Sequence, residues 1–107
     1  MTIVPELFEG WSPIIASVAK PIGADKERRV RSLDEAVGSV LTDLRAGRHW
    51  TQQKLADIAG YDESYIRQLE RGTKSATLRT LSDLASAFSL SVWVLIRRAE
   101  TRMPKHH

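Results

Sequence analysis

Residues 51–72 read TQQKLADIAGYDESYIRQLERG, and this stretch decides the fold. It predicts two short helices with a tight turn between them. Thr51 is suited to cap the first helix, because its hydroxyl can accept a hydrogen bond from an otherwise unpaired backbone amide. Gly60 follows that helix, where a left-handed residue costs least, Asp62 can cap the second helix, and Gly72 can end it. The turn is so short that the helices are expected to cross steeply rather than lie antiparallel.

The apolar residues of this stretch lie at helical spacing. Leu55, Ile58 and Ala59 form one face of the first predicted helix. Ile66 and Leu69 form the inward face of the second helix. Both faces are predicted to be buried, which directs the remaining side chains of the second helix outwards, as in a helix-turn-helix motif.

Two further helices are predicted on either side of this pair. Ser32 and Glu35 form a capping box, which predicts a helix from there to about Ala46, ended by Gly47. Thr77 is suited to cap a helix after the central pair. The predicted inward residues are Leu33, Ala36, Val37, Val40, Leu41 and Leu44 in the first of these helices, and Leu78, Leu81, Leu84, Ala85 and Phe88 in the other.

The central stretch resembles the helix-turn-helix of the Cro and lambda-repressor-like DNA-binding proteins, the XRE group. The resemblance covers roughly residues 33–100 and is specific for the fold, but less specific for any one biological role. It implies an all-α, five-helix lambda-repressor-like DNA-binding domain with an N-terminal extension. The matching positions are Thr51, Gln52, Leu55, Ala56, Gly60, Ser64, Tyr65, Ile66, Leu69, Glu70, Arg71 and Gly72.

The segment from Val92 to about Thr101 is compatible with two kinds of secondary structure. Its apolar residues follow a helical period, but its β-branched residues also suit a strand with Val94 and Ile96 on one face. The helix is favoured, because the resemblance implies a fifth helix here. A helix would leave Trp93 and Val94 facing outwards, which suggests a subunit interface.

The chain is predicted to divide into three parts. Prolines and glycines interrupt residues 1–31 and exclude one long helix there. This extension is apolar enough to be partly ordered, and it either packs on its own domain or provides a dimer or partner contact. The helix-turn-helix DNA-binding domain is predicted for residues 32–101, and a disordered tail for residues 102–107.

Composition bounds the class of protein. A chain of 107 residues suffices for one small domain. Without cysteine, it can form neither a disulfide nor a thiolate metal site. No segment has the length of a membrane span or the layout of a leader sequence, so a cytoplasmic protein that does not associate with membranes is expected.

The formal net charge of +3 is unevenly distributed. Positive and negative side chains balance at four each in residues 1–30 and at seven each in residues 31–75, while residues beyond 75 carry five positive and two negative ones. Any binding to nucleic acid must therefore depend on where the charges lie, rather than on their total.

The second helix of the central pair is the candidate recognition helix. The resemblance places Glu63, Ser64 and Arg67 where the family most often reads DNA bases, with Gln68 at the margin. Arg67 could pair with guanine through two donors, and Glu63 could accept from cytosine. An acidic Glu63 departs from the glutamine or serine common in the family, so the individual base contacts stay open. The alternative is that these are solvated polar residues of an amphipathic helix.

DNA phosphates are expected to be contacted from helix starts and loops. Gln52 begins its helix beside exposed amides that attract anions, and the resemblance implies that it grips phosphate. The resemblance also implies that Arg45 pairs with Glu70 as a scaffold ion pair, tying the first helix to the recognition helix. The other candidate phosphate contacts are Arg48, Lys54, Thr73, Lys74 and Ser75.

No cofactor, metal site or catalytic arrangement is predicted, since the histidines do not form a metal-binding group and no serine has a histidine at a motif spacing. An enzyme is therefore not expected. The favoured hypothesis is a sequence-specific transcriptional regulator, a repressor, that binds double-stranded DNA at a palindromic operator as a homodimer. The alternative is the antitoxin of a toxin–antitoxin pair, which would bind its operator and neutralise a partner toxin through the N-terminal extension or the Trp93 region.

Overall fold

The computed structural model describes the backbone of residues 3–103 and the side chains of residues 25–103. This part of the chain contains five α-helices and no strand: α1 (Ile3–Gly47), α2 (Gln52–Ala59), α3 (Glu63–Arg71), α4 (Leu78–Ala87) and α5 (Val92–Thr101). The prediction of an all-α, five-helix fold is confirmed, and so is the preference for a helix over a strand at residues 92–101.

The predicted ends of the central helices are present. Thr51 accepts a hydrogen bond from the amide three residues further on at 3.0 Å, and Asp62 accepts from the amide two residues further on at 3.0 Å. Gly60 and Gly72 have φ angles of 82° and 75°, a region where only glycine carries no steric cost. Thr77 caps α4 in the same way as Thr51 caps α2. The residues at the ends of these helices thus determine where each helix begins and ends.

Helix α1 is longer than the sequence predicts, and its start at Ser32 is a wrong prediction. Ser32 lies inside a helix that already includes residues 25–31, so Ser32 and Glu35 do not mark the start of a helix. Residues 25–31, DKERRVR, contain neither proline nor glycine, and Asp25 pairs with Arg28 one turn later at 3.0 Å. Nothing in this basic segment stops a helix that arrives from its N-terminal side.

The prediction that prolines exclude one long helix is also wrong. The backbone of α1 stays helical through Pro5, Pro13 and Pro21. Pro5 lies in the first turn, where its missing amide would have no partner in the helix. The two interior prolines each carry a penalty of about 3 kcal/mol, which opposes a helix but does not forbid one. Whether the side chains of this extension pack on the domain or contact a partner lies outside the described residues.

The core lies where α1 packs on α3 and α5, α2 packs on α3 and α4, and α4 packs on α5. Most of the predicted inward residues contribute to it. Three predicted positions are instead exposed: Leu33 by 40%, Ile58 by 44% and Leu78 by 67%. Each lies at helical spacing with the buried residues of its helix, but the apolar face that this spacing defines is wider than the surface that the neighbouring helices cover. The largest fully buried side chains are Val40, Leu41, Leu55, Ile66, Leu69, Leu84, Phe88 and Leu95.

The last described residues close the domain against α1. Arg102 donates to Ser39 at 2.6 Å and pairs with Asp43 at 2.7 Å, while Met103 packs against the core. Of the predicted tail, residues 102 and 103 make these contacts directly after α5, and residues 104–107 lie outside the described part. No single helix of the described residues is both long and apolar enough to cross a membrane. Only α4 and α5 taken together have that length and composition, and the chain bends by 99° between them.

Candidate nucleic-acid interface

Helix α3 presents a polar edge to solvent because its apolar residues are fully used by the core. Ile66 and Leu69 are buried, three residues apart on one face. Of the predicted base-reading residues, Ser64 is exposed, whereas Glu63, Arg67 and Gln68 are half-buried on the outward side. The fold thus brings all four candidates to one helix surface.

Two local contacts order the start of this edge. Asp62 accepts hydrogen bonds from the hydroxyl and the amide of Ser64, and these bonds lower the pKa of Asp62. One turn later Arg67 lies 3.5 Å from Glu63. Because this ion pair is long and about 40% exposed on both sides, it opens readily to a competing partner. Glu63 and Arg67 are therefore only loosely paired in the free protein.

Glu70 joins three helices at the other end of α3. Arg45 of α1 donates to both of its carboxylate oxygens, at 2.7 and 3.0 Å, and the bond to Glu70 raises the pKa of Arg45. Gln52 of α2 donates to the same carboxylate at 2.9 Å. Arg45 also donates to the backbone carbonyl of Trp50 at 2.8 Å. The predicted partners are thus in contact, and the network fixes α3 relative to α1 and α2 with paired charges.

Gln52 has a second role that the sequence does not indicate. It is predicted to contact phosphate, but its side-chain amide is bound to Glu70 within the fold. Its position at the start of α2 still lies beside Thr51, at the end of the helix where unpaired amides attract anions. A phosphate contact by Gln52 remains a prediction.

The loop after α3 is fixed at both of its ends. The Thr73 amide and hydroxyl both donate to the backbone carbonyl of Gln68 at 3.1 Å. Ser75 donates to Asp34 of α1 at 2.7 Å. Lys74 lies between them, exposed, with its ammonium 6.0 Å from the centre of the Tyr65 ring. Of these three predicted phosphate contacts, Lys74 retains a charged group directed to solvent.

The two remaining candidates lie apart from this loop. Lys54 is exposed on α2. The guanidinium of Arg48 donates to the Phe88 carbonyl at 2.8 Å and lies over the rings of Trp50 and Phe88 at 5.3 and 5.7 Å. The structure therefore uses Arg48 to join the end of α1 to the end of α4, and it does not bring Arg48 into contact with the other predicted residues.

Gly38 is a structural determinant that the sequence prediction missed. A Cβ atom at Gly38 would lie 2.4 Å from the backbone oxygen of Glu70 and 2.5 Å from that of Leu69. The only available signal is an isolated glycine inside a helical pattern, which often marks close packing. Gly72 meets α1 in a similar way, since its Cβ would lie 2.8 Å from Glu35. Helices α1 and α3 thus touch backbone to backbone behind the polar edge.

Tyr61 connects the turn of the motif to α4. Its hydroxyl donates to Asp83 at 2.6 Å, which raises the pKa of Tyr61, and lies 3.4 Å from the Thr80 hydroxyl. Its ring packs against Tyr65 with the ring centres 5.6 Å apart. No group of three potential metal-ligating side chains occurs among the residues whose side chains are described.

Comparison with known proteins agrees with this geometry. A helix-turn-helix family model matches residues 41–92. The control protein C.SmaI of Serratia marcescens is 33% identical over 66 residues, which span 62% of this chain and 79% of that protein. The chain belongs to the XRE-type helix-turn-helix family.

Solved structures of helix-turn-helix proteins share the arrangement of helices. The clp gene regulator ClgR from Corynebacterium glutamicum is 30% identical, with a TM-score of 0.63, over 67% of this chain and 92% of that one. The restriction-modification controller protein C.AhdI from Aeromonas hydrophila is 31% identical, with a TM-score of 0.56, over 58% of this chain and 94% of that one. The predicted fold family is therefore confirmed.

A curated relative places the family in transcription. The competence pilus inhibition repressor of Acinetobacter baylyi is 38% identical over 64 residues, which span 60% of this chain and 58% of that protein. This chain therefore spans less than two thirds of that repressor's length. Relatives in this helix-turn-helix family are a transcription repressor and other transcriptional regulators, which agrees with the predicted class of DNA-binding regulator.

Proposed function

We propose that this protein is a sequence-specific transcriptional regulator that represses from a palindromic operator as a homodimer in the cytoplasm. The observation that carries the proposal is the outward polar edge of α3, whose rear face is fixed to α1 at Gly38 and through the Arg45–Glu70 ion pair. A helix held this way can enter the major groove with its first turn, because its position is set by the core and not by the DNA.

Within the groove, Arg67 is the strongest base-reading candidate. Its weak ion pair with Glu63 can exchange for a bidentate contact with guanine, which is worth about 1–3 kcal/mol of discrimination. Released from Arg67, Glu63 can accept from a cytosine amino group. Ser64 and Gln68 supply shorter polar contacts, while Lys74, with Gln52, Lys54, Thr73 and Ser75, faces the phosphate backbone.

A homodimer is supported by the outer surface of α5. Trp93 is 60% exposed, and Val94, Arg97, Arg98 and Thr101 lie beside it along a shallow groove. A single small domain buries little DNA surface, so two copies on half-sites one helical turn apart raise both affinity and selectivity.

The test begins with selection of bound duplexes from a random DNA pool at stated salt, and an enriched two-fold-related sequence is the expected result. On that sequence, Arg67→Ala should weaken binding by roughly 1–3 kcal/mol and relax the preference at one base position. Lys74→Ala should weaken binding to all sequences about equally. Arg29→Ala removes a matched exposed charge from α1 and should leave affinity unchanged. Wild-type affinity in both the Arg67 and the Lys74 variant would refute groove docking by α3.

The antitoxin alternative has one observation in its favour. Helix α1 begins at Ile3, 35 residues before Gly38, which lies against the α3 backbone, and so is longer than this DNA-binding fold requires. Relief of the toxicity of a neighbouring gene's product by this protein, with a co-purifying complex, would support that role. DNA binding at full affinity by the protein alone would favour the regulator.

A further inference from the structure

Arg31 is an exposed cation whose position on α1 is set by the contacts of that helix with α3. Gly38 marks the face of α1 that lies against the α3 backbone. Arg31 precedes Gly38 by seven residues, which is two helical turns, so both lie on the same face. Arg29 precedes Gly38 by nine residues, or two and a half turns, and lies on the opposite face. The two arginines therefore differ in direction but not in charge or segment.

The loop of predicted phosphate contacts lies directly beside the Arg31 face. Ser75 donates to Asp34 at 2.7 Å, and Gly72 lies against the backbone of Glu35. Arg31 is one turn before these two residues, about 4.5–6 Å along the axis of α1. An arginine side chain spans that rise, so its guanidinium can reach the same side of the domain as Lys74.

The charge of Arg31 forms no ion pair within the described part of the fold. Two carboxylates lie one turn further along α1: that of Asp34 accepts a hydrogen bond from Ser75, and that of Glu35 is exposed. Among the residues whose side chains are described, Arg31 has no acidic partner within 4.0 Å, in contrast to Arg28, which pairs with Asp25. Glu27 lies one turn before Arg31 on the same face, and Glu35 lies one turn after it, so these two carboxylates confine the region that favours an anion to Arg31 itself.

We propose that Arg31 is a further contact to the DNA phosphate backbone, which extends the binding surface from loop 73–75 onto α1. This rests on the proposed function and adds to it a residue outside the helix-turn-helix pair. The ligand is the phosphodiester backbone of the duplex that α3 reads, and the contact is independent of base sequence. Arg31 therefore adds affinity and fixes the tilt of the domain on the duplex.

The salt dependence of binding to the selected duplex tests this contact. Each phosphate neutralised contributes about 0.9 to the slope of log affinity against log salt. Arg31→Ala should reduce the slope by that amount, so that its affinity loss between 50 and 200 mM salt is about 3.5-fold smaller than that of the unmodified protein. Arg31→Lys keeps the charge and should keep most of the slope. Arg29→Ala should retain the full slope.

The controls separate this inference from the proposed function. An unchanged slope for Arg31→Ala, or an equal decrease for Arg29→Ala, would overturn it. If Arg67→Ala loses selective binding while Arg31→Ala keeps the full salt dependence, the proposed function as a regulator is supported and the proposed phosphate contact of Arg31 is rejected. Absence of salt-dependent binding by the unmodified protein would overturn both. Thermal melting of each variant establishes that a loss of affinity does not come from unfolding.

Discussion

Gly38 decides, at the scale of a single residue, how closely the recognition helix can approach its support. Because Gly38 has no side chain, the backbone of α1 can pack directly against the backbone carbonyls of Leu69 and Glu70. The same α3 turn is then fixed by the bidentate Arg45–Glu70 pair, in which Glu70 is almost fully buried. Close backbone packing sets the distance between the helices, and the ion pair sets their register.

Gly38→Ala should therefore destabilise the domain, although alanine is the better helix former. The added methyl group meets backbone atoms that cannot move aside, and overpacking of this kind costs about 1–3 kcal/mol. Chemical denaturation monitored by circular dichroism measures the loss. Gly47→Ala is the matched control in the same helix, because a Cβ there meets nothing within 4 Å. Equal stability of the two variants would contradict the close contact.

At the scale of the element, α3 is a nine-residue helix, too short to persist without its caps and its packed face. Asp62 orders its first turn, Gly72 ends it, and the two buried side chains hold it to the core. This first turn is also the part that would meet base edges. The stability of the cap and the geometry of the DNA-reading surface are therefore coupled.

The Asp62 cap should make α3 sensitive to acid. Hydrogen bonds from the Ser64 hydroxyl and amide lower the pKa of Asp62 in the folded state. The cap therefore contributes its full stability above the ordinary aspartate pKa of about 3.9, and that contribution is lost as the pH falls through the lower folded value. Asp62→Asn can still accept from the amides but does not titrate, so its stability relative to the unmodified protein should rise as the pH falls below about 4.

Thermal melts between about pH 6 and pH 2, which bracket the aspartate pKa, measure this difference. Asp57→Asn removes a carboxylate of α2 that caps no helix, and it serves as the control for a general loss of negative charge. A constant stability difference between Asp62→Asn and the unmodified protein across this range would show that the cap does not act through its charge.

At the scale of the whole molecule, the two exposed regions proposed for function belong to different helices. The DNA-facing surface is formed by α3 and the loop that follows it, and the apolar surface around Trp93 belongs to α5. Both helices pack against α1. In the proposed homodimer α1 therefore fixes the direction of each recognition helix relative to the dimer axis, and hence the spacing of the half-sites.

Trp93→Asp should convert the proposed dimer to a monomer. A charge placed in an apolar interface must be desolvated without a partner, which opposes association. Sedimentation equilibrium should show a lower mass than for the unmodified protein at equal concentration, and operator binding should require more protein. Leu78→Asp changes a comparably exposed apolar residue on α4 and should leave the mass unchanged. A monomeric unmodified protein, or a Trp93→Asp dimer, would exclude this interface.

The sequence by itself determined the features that depend on residues within one or two turns of each other. Thr51, Asp62 and Thr77 identified helix starts, and Gly60 and Gly72 identified ends, because caps and left-handed residues act on neighbouring amides. The spacing of Ile66 and Leu69 indicated which side of α3 faces outwards. The resemblance to known proteins further anticipated the Arg45–Glu70 pair, although these residues are 25 positions apart.

Only the tertiary structure decided which residues meet across long stretches of chain. It joined Ser75 to Asp34 over 41 positions, directed Arg48 to the Phe88 carbonyl over 40, and bound Gln52 to Glu70 over 18. In the structure α1 also continues through the prolines that were predicted to interrupt it, and Ile58 is exposed although it lies on the apolar face of α2. A local pattern specifies a helix and its apolar face, but the partner of each side chain depends on how the helices pack, which no neighbouring residues encode.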